Sequence, residues 1–319
     1  MNEVQLGKGG PFVSSLGLGT MMMGWRLNPS ESEKIIASAH EQGISFIDTS
    51  ISYSRGECHQ IIGGALRNLQ LQNQFFIATK VGGISNDNDP PSHRGYSRSN
   101  IVRQCELALT QLGVDNIDLL QLHAPTKEFA CHEMLEAMVL LQKQGKIKYF
   151  GVCNYAVEDM ETILSYANGS QELIPLTNQF EYNLLNCQQQ NSVFDLLKTA
   201  GMGTITWGPL ASGLLSDWYT KNDVSKPGGR IDSGREKTQK LAILSKPSTQ
   251  IILKSIASLS AETNIPAHAL ALIYLLQSRP ENCTLLGPSS LLQFNELMAY
   301  LGTRPLKPVD FSSLQFLDA

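Results

Sequence analysis

Several things are scarce in this 319-residue chain, and each scarcity excludes something. Basic charge is not in excess: 25 Lys and Arg stand against 29 Asp and Glu, a net charge of −4. A protein that grips a phosphate backbone wants a basic face, so no nucleic-acid partner is expected. No apolar run approaches the ~18 residues of a membrane span, so no membrane partner is expected either. The first residues, MNEVQLGKGG, lack the basic-then-apolar pattern of a secretory leader. The six cysteines, Cys58, Cys105, Cys131, Cys153, Cys187 and Cys283, form no CxxC pair. Reduced thiols and a cytoplasmic location are the expectation. Cys58-His59 and Cys131-His132 are isolated pairs without metal-ligand spacing, and no metal is expected. Gly17-Leu18-Gly19 starts like a dinucleotide fingerprint, but the next glycine is Gly24 and the motif fails. LGKGG near the start lacks phosphate-loop spacing, and there is no G-x-S-x-G elbow.

What is present is an alternation. Short runs that are apolar nearly throughout fall at 16–19, 45–48, 75–80, 117–122, 147–152, 175–180, 203–207 and 283–287. Runs without polar alternation suit parallel strands covered on both faces. Amphipathic segments separate them, with cap residues in front and glycine behind: Ser30 to Gln42 before Gly43, Ser99 to Leu112 before Gly113, and Glu133 to Gln144 before Gly145. Further helices fit 57–68, 156–167, 188–200, 250–263, 267–277 and 291–300. Eight strands, each followed by a helix, make a (β/α)8 TIM barrel the expected fold, with a doubly wound sheet as the alternative. The whole chain, 1–319, reads as one domain without internal repeats. Residues 1–14 read as an N-terminal hairpin ahead of the barrel. Two connections, 81–98 and 208–249, are long. Both follow strands, the second after barrel strand seven, so both belong to the C-terminal face where barrel active sites lie.

The strand ends carry the chemistry. FIDTSISYSRGE, 46–57, closes a strand on Asp48 and places Tyr53 five residues on; the next strand ends on Lys80, and the one after just before His123. Each residue alone suits a solvated strand end, but a barrel brings all four to one mouth. A tyrosine with an ordinary pKa of about 10 is a poor acid at neutral pH. An ammonium such as that of Lys80 lowers it. Asp48 can hold Lys80 charged, and His123 can donate a hydrogen bond to a substrate oxygen. Such a set suits protonation of an oxygen that becomes negative, as when hydride attacks a carbonyl.

At this point the pattern resembles the aldo-keto reductase superfamily. The markers are LGLGT, GISFIDTSISY, IATKVG, QLGVDNIDLLQLH, QGKIKYFGVCN, NQFEYNLL, WGPLASGLL and LLGPSS, in order from 16 to 290. The resemblance implies a barrel that reduces aldehydes and ketones with NADPH, with a catalytic tetrad of Asp48, Tyr53, Lys80 and His123 in which Tyr53 is the general acid. It also implies cofactor contacts. Asn154 and Gln179 match residues that hold the nicotinamide carboxamide, and Trp207 matches the aromatic stacked on its ring. Gly208, Pro209, Leu210 and Gly213 match the loop along the pyrophosphate. Gly287, Ser289, Gln293 and Glu296 match the adenosine end, and Gly19, Thr20 and Met21 the first-strand contacts beside Asp48. The alternatives for Trp207 and for 287–296 are plain core and a simple helix start.

The chain departs from the family at Met21, Ser54, Cys58-His59, Cys153, Ser289 and Leu297. Ser289 stands where many members place the base that pairs with the 2′-phosphate, so NADH stays open; Lys226, Arg230 or Arg235 is the expected substitute. Cys58, near the proposed site, is a candidate for oxidation. Met21, Met22, Met23 and Trp25 follow the first strand at the mouth. Core packing is one reading of them. In the other, Met21 and Trp25 wall a substrate pocket with Tyr53 and His123, which favours carbonyls with an aromatic or alkyl body. Two further readings use the same residues. One is a cofactor-sensing regulatory protein like the β subunits of voltage-gated potassium channels, in which the histidine position is commonly not His. The other is an alcohol or sugar dehydrogenase running in the oxidative direction.

Overall fold

The computed structural model describes residues 1–82, 95–128, 130–222, 227, 229, 231–232, 237–301 and 308–314. Its eight apolar runs become β3 (Leu16–Gly19), β4 (Phe46–Asp48), β5 (Phe76–Val81), β6 (Ile117–Leu122), β7 (Ile147–Cys153), β8 (Thr177–Glu181), β9 (Gly203–Trp207) and β10 (Cys283–Leu286), which follow the N-terminal strands β1 (Glu3–Gln5) and β2 (Phe12–Ser14). The eight pair in parallel and in chain order, and β10 closes onto β3 through Leu285 opposite Gly17. The fold is a (β/α)8 TIM barrel. The third barrel strand extends one residue past Lys80, to Val81.

Helices α1 (Pro29–Glu41), α2 (Glu57–Asn68), α3 (Arg98–Leu112), α4 (Cys131–Lys143), α5 (Val157–Ala167) and α6 (Asn191–Ala200) pack outside the early strands. Their apolar faces meet the outward residues of the strands in a continuous core. Helix α1 starts earlier than Ser30. Asn28 caps it by accepting the Glu31 amide, the Glu31 carboxylate accepts the Asn28 amide, and Pro29 takes the first position, where its missing N–H costs nothing. Ser97 rather than Ser99 likewise caps α3. The connection after β9 is less irregular than its composition suggested. It contains α7 (Lys237–Leu244), and α8 (Pro247–Thr263) begins three residues before the expected start. Helices α9 (Ala267–Ser278) and α10 (Leu291–Leu301) flank β10.

The N-terminal hairpin plugs the bottom of the barrel. β1 and β2 pair antiparallel, and Val4, Leu6 and Val13 bury against the lumen side chains Phe46, Ala78, Leu119, Ile205, Cys283 and Leu285. The Lys8 amide donates to the Gly201 carbonyl at 2.8 Å, and the Ser14 amide to the Ser45 hydroxyl at 2.9 Å. Gly203 starts β9 where the hairpin crosses; a Cβ there would stand 2.5 Å from the Gly7 nitrogen. With the lower end filled largely by apolar groups, the charged and amide side chains of the lumen gather towards the C-terminal mouth.

Candidate active site

The upper layer of the lumen is polar. Asp48 ends β4, Lys80 lies near the end of β5, Gln121 on β6, and Gln179 on β8, and all four are buried. The Lys80 ammonium donates to Asp48 Oδ2 at 2.5 Å, to the Thr49 carbonyl at 3.0 Å and to Tyr53 Oη at 3.4 Å. Gln179 Nε2 donates to Asp48 Oδ1 at 2.7 Å, and Gln121 Nε2 approaches the same oxygen at 3.4 Å. A buried carboxylate and ammonium are tolerated because each meets the other and further hydrogen-bonding groups. Asp48, Tyr53, Lys80 and His123 therefore do converge, with the Lys80 ammonium 5.2 Å above the Tyr53 ring and the Tyr53 and His123 rings 6.1 Å apart, edge to face.

Electrostatics here are set mainly by burial. Burial pushes the Tyr53 phenol up to about 12; Lys80 pulls it down and Asp48 pushes it up, so the lowering expected from Lys80 is outweighed. Tyr53 stays a protonated phenol throughout the neutral range. Burial opposes the Lys80 charge, but Asp48 and Tyr53 more than offset it, and its pKa rises above the usual lysine range. His123 is held down to about 4 by burial and then by Lys80, so its imidazole is neutral at pH 7. Its Nδ1 lies 3.2 Å from the Ser50 hydroxyl.

The remaining sequence candidates fall into two groups. Asn154 adopts φ +64° just past β7, with Nδ2 donating to the His123 carbonyl at 3.1 Å and Oδ1 accepting the Trp207 indole N–H at 3.0 Å. Both thus belong to the rim beside His123. Gly208, Ala211, Ser212 and Gly213, with positive φ, form a left-handed turn after Trp207; Pro209 and Leu210 lie within it, and a Cβ on Gly213 would meet nothing within 4 Å. Gly19 and Gly287 face each other across β3 and the segment after β10: a Cβ on Gly19 would stand 3.4 Å from the Leu286 carbonyl oxygen, and one on Gly287 3.9 Å from the Gly19 carbonyl oxygen.

The others are placed as follows. Gln179 donates its amide to Asp48. The Thr20 hydroxyl donates to the Asp48 carbonyl at 2.9 Å, and Met21 packs partly buried against the core. Ser289 donates from its amide and hydroxyl to Gln293 Oε1, both at 2.9 Å, while Glu296 is exposed. Met22 and Met23 are core residues. Trp25, half exposed, lines a groove between α1 and α2 with Glu31, Glu57 and Ile61, and no member of the tetrad lines that groove. Cys58 is fully buried with its thiol against Thr20 and Thr49, and burial raises its pKa, so it is poorly placed for oxidation. Lys226, Arg230 and Arg235 lie outside the described residues, as do 83–94.

The sequence reading missed Gln121, whose signal was a lone amide inside the apolar run IDLLQL. It also missed Tyr96, which caught no notice in a polar loop. A Cβ on Gly82, φ +85°, would collide with the Tyr96 ring at 1.9 Å, and the Tyr96 hydroxyl accepts the Ala124 amide at 2.8 Å. Gly82 and Tyr96 together fix the backbone next to His123. Among the described residues no three His, Cys, Asp or Glu side chains gather as metal ligands, and no helix is long and apolar enough to cross a membrane. All six cysteines are free thiols.

Acid should loosen the fold through two histidines. His59, on α2, is fully buried with Nε2 2.8 Å from the Thr79 hydroxyl and Nδ1 3.3 Å from Gln111 Oε1; burial holds it down to about 4. His59 and His123 thus titrate near 4 when folded and near 6.5 when unfolded. Between those values the unfolded chain binds more protons, so stability present above pH 6.5 falls as pH drops towards 4 and levels off below. Urea midpoints measured from pH 7 to 4.5 should decline, and His59→Gln should flatten that decline. Parallel slopes for both proteins would contradict the assignment.

Sequence comparison fits the geometry. A family model described as the aldo/keto reductase family matches residues 15–319. A probable voltage-gated potassium channel subunit beta from Oryza sativa subsp. japonica is 30% identical over 229 residues, 70% of this chain and 68% of that protein. The aldo-keto reductase YhdN of Bacillus subtilis (strain 168) is 33% identical over 66% of this chain and 62% of its own length. The aldo-keto reductase AFTS1 of Alternaria alternata is 28% identical over 85% of this chain and 80% of its own.

Proposed function

The chain belongs to the aldo/keto reductase family, and from that premise we propose that it reduces an aldehyde or ketone to an alcohol with NADPH, using Tyr53 as the general acid. The observation that carries this reading is the Asp48–Lys80–Tyr53 chain at 2.5 and 3.4 Å, with a neutral His123 beside it. The family accounts for an NAD(P)H-dependent carbonyl oxidoreductase in general; the choice of NADPH, the substrate and the residue roles are our proposal.

The residues present suit a nicotinamide dinucleotide. Asn154 and Trp207 offer an amide and an indole face at the mouth. Gly213 has open space beside it where a side chain would otherwise stand, and the start of α10 offers amides to an anion. Bound there, the cofactor would supply a hydride to the carbonyl carbon. This chain's own residues do the rest. Tyr53 Oη gives its proton to the carbonyl oxygen. Lys80, kept charged by Asp48, steadies the phenolate that the transfer leaves. His123 donates a hydrogen bond to the same oxygen, and its neutrality keeps a second cation away from Lys80. Met21 remains the apolar contact we assign to the substrate, a small carbonyl compound. With free thiols throughout, a cytoplasmic location is the one we propose.

The similarity to channel β subunits favours a second reading, a regulatory protein that senses its cofactor and binds a partner. His123 speaks for catalysis. Absorbance loss of NADPH, and separately of NADH, with an activated aromatic aldehyde tests both. Steady turnover, faster with NADPH, is expected. No turnover with either, alongside tight binding by fluorescence, would overturn the reductase in favour of the regulator.

A further inference from the structure

Ser50 occupies an unusual place between the two groups assigned to the substrate oxygen. It is fully buried in the tight turn after β4. That turn is fixed on both sides. The Thr49 amide donates to the Ala78 carbonyl at 2.9 Å, and the Ile51 amide to the Lys80 carbonyl at 3.3 Å. The Ser50 carbonyl accepts the Tyr53 amide at 3.1 Å, while its hydroxyl lies 3.2 Å from His123 Nδ1. One residue thus seats the backbone of the proposed acid and the ring of the proposed hydrogen-bond donor.

The hydroxyl has one proton to give and two neighbours to consider, His123 Nδ1 and the Ser52 hydroxyl at 2.9 Å. The Ser52 backbone amide also points at the Ser50 oxygen, at 3.3 Å, and an amide can only donate. Ser52 has part of its surface exposed and can donate its own hydroxyl proton as well. Both lone pairs of Ser50 are then taken, and its proton is left for the ring. An imidazole nitrogen is also a stronger acceptor than a hydroxyl oxygen. His123 Nε2 has no hydrogen-bond partner among the described residues, so it is the nitrogen available to a ligand.

We propose that Ser50 is a positioning residue that donates to His123 Nδ1 and so holds the imidazole in the tautomer with its proton on Nε2. The consequence is a choice of sign at the mouth. With the proton on Nε2, His123 offers a donor to a carbonyl oxygen. With the proton on Nδ1, it would offer a lone pair to that same oxygen and repel it. The role in catalysis rests on the reductase reading; the tautomer does not.

The test is long-range ¹H–¹⁵N correlation of the histidine rings at pH 7, with His123 identified by its loss in His123→Asn. The expected wild-type result is a single neutral tautomer, pyridine-like at Nδ1 and protonated at Nε2. Ser50→Ala should turn this into a mixture and lower kcat with the aromatic aldehyde roughly tenfold, with KM changed less; Ser50→Thr, which restores the hydroxyl, should recover both. A wild-type ring protonated at Nδ1, or a signature unmoved by Ser50→Ala, would overturn the assignment. The wild-type spectrum decides even if the alanine variant does not fold. Should the wild type show the expected tautomer but turn over no carbonyl, the reductase reading fails and the Ser50–His123 assignment stands.

Discussion

Tyr53→Phe should lower aldehyde-dependent NADPH oxidation by about two to four orders of magnitude, the usual contribution of a positioned general acid. Cofactor affinity measured by fluorescence should be unchanged, because the variant removes only the oxygen. The fold should tolerate the loss. Among the described residues the phenol makes one hydrogen bond, to Lys80 at 3.4 Å, and the ring still packs against the core. The burial that raises the phenol to about 12 has a definite consequence for pH. In the direction of reduction Tyr53 is protonated across the neutral range, so activity should show no decline between pH 6 and 9 that arises from loss of the acid. Equal turnover by wild type and Tyr53→Phe would remove Tyr53 from the mechanism altogether.

The second large effect is on stability, at the Asp48–Lys80 pair. Lys80→Met leaves a buried carboxylate with only the two amides of Gln179 and Gln121, and Asp48→Asn leaves a buried ammonium with the Thr49 carbonyl and Tyr53. Breaking a buried pair from one side typically costs roughly 3–5 kcal/mol, since the remaining charge has lost its partner. The double variant Asp48→Asn/Lys80→Met carries neither charge and should regain most of that loss in a urea titration while remaining inactive. Additive losses would show that the two charges do not depend on each other. Recovery of activity in the double variant would show that the ammonium has no part in the chemistry.

Legibility in the sequence followed the range of the forces involved. The eight apolar runs and their intervening helices were readable because a strand covered on both faces must be apolar nearly throughout, and that requirement is local. Helix starts were read less well. Ser30 and Ser99 looked like caps, but Asn28 and Ser97 had the backbone geometry, and a cap is defined by that geometry as much as by residue type. Helix α7 was hidden because its sequence, KTQKLAIL, carries no clear cap or stop. Trp25 was placed at the mouth from its distance along the chain, whereas the turn at Gly24 carries it to the α1–α2 groove.

For the candidate site, the sequence alone settled which residue types stand at the ends of consecutive strands: Asp48, Lys80, His123, and Tyr53 five residues past the first. It also settled the family, through ordered motifs over nearly the whole chain. Only the tertiary structure decided how those groups behave. It turned Gln179 onto Asp48, added Gln121 to the same carboxylate, put Ser50 against His123 and held the Tyr53 phenol protonated. The physical reason is that strand ends follow from local patterning, whereas a hydrogen-bond partner or a shifted pKa depends on which side chains from distant strands share the closed lumen, and on how little water shares it with them.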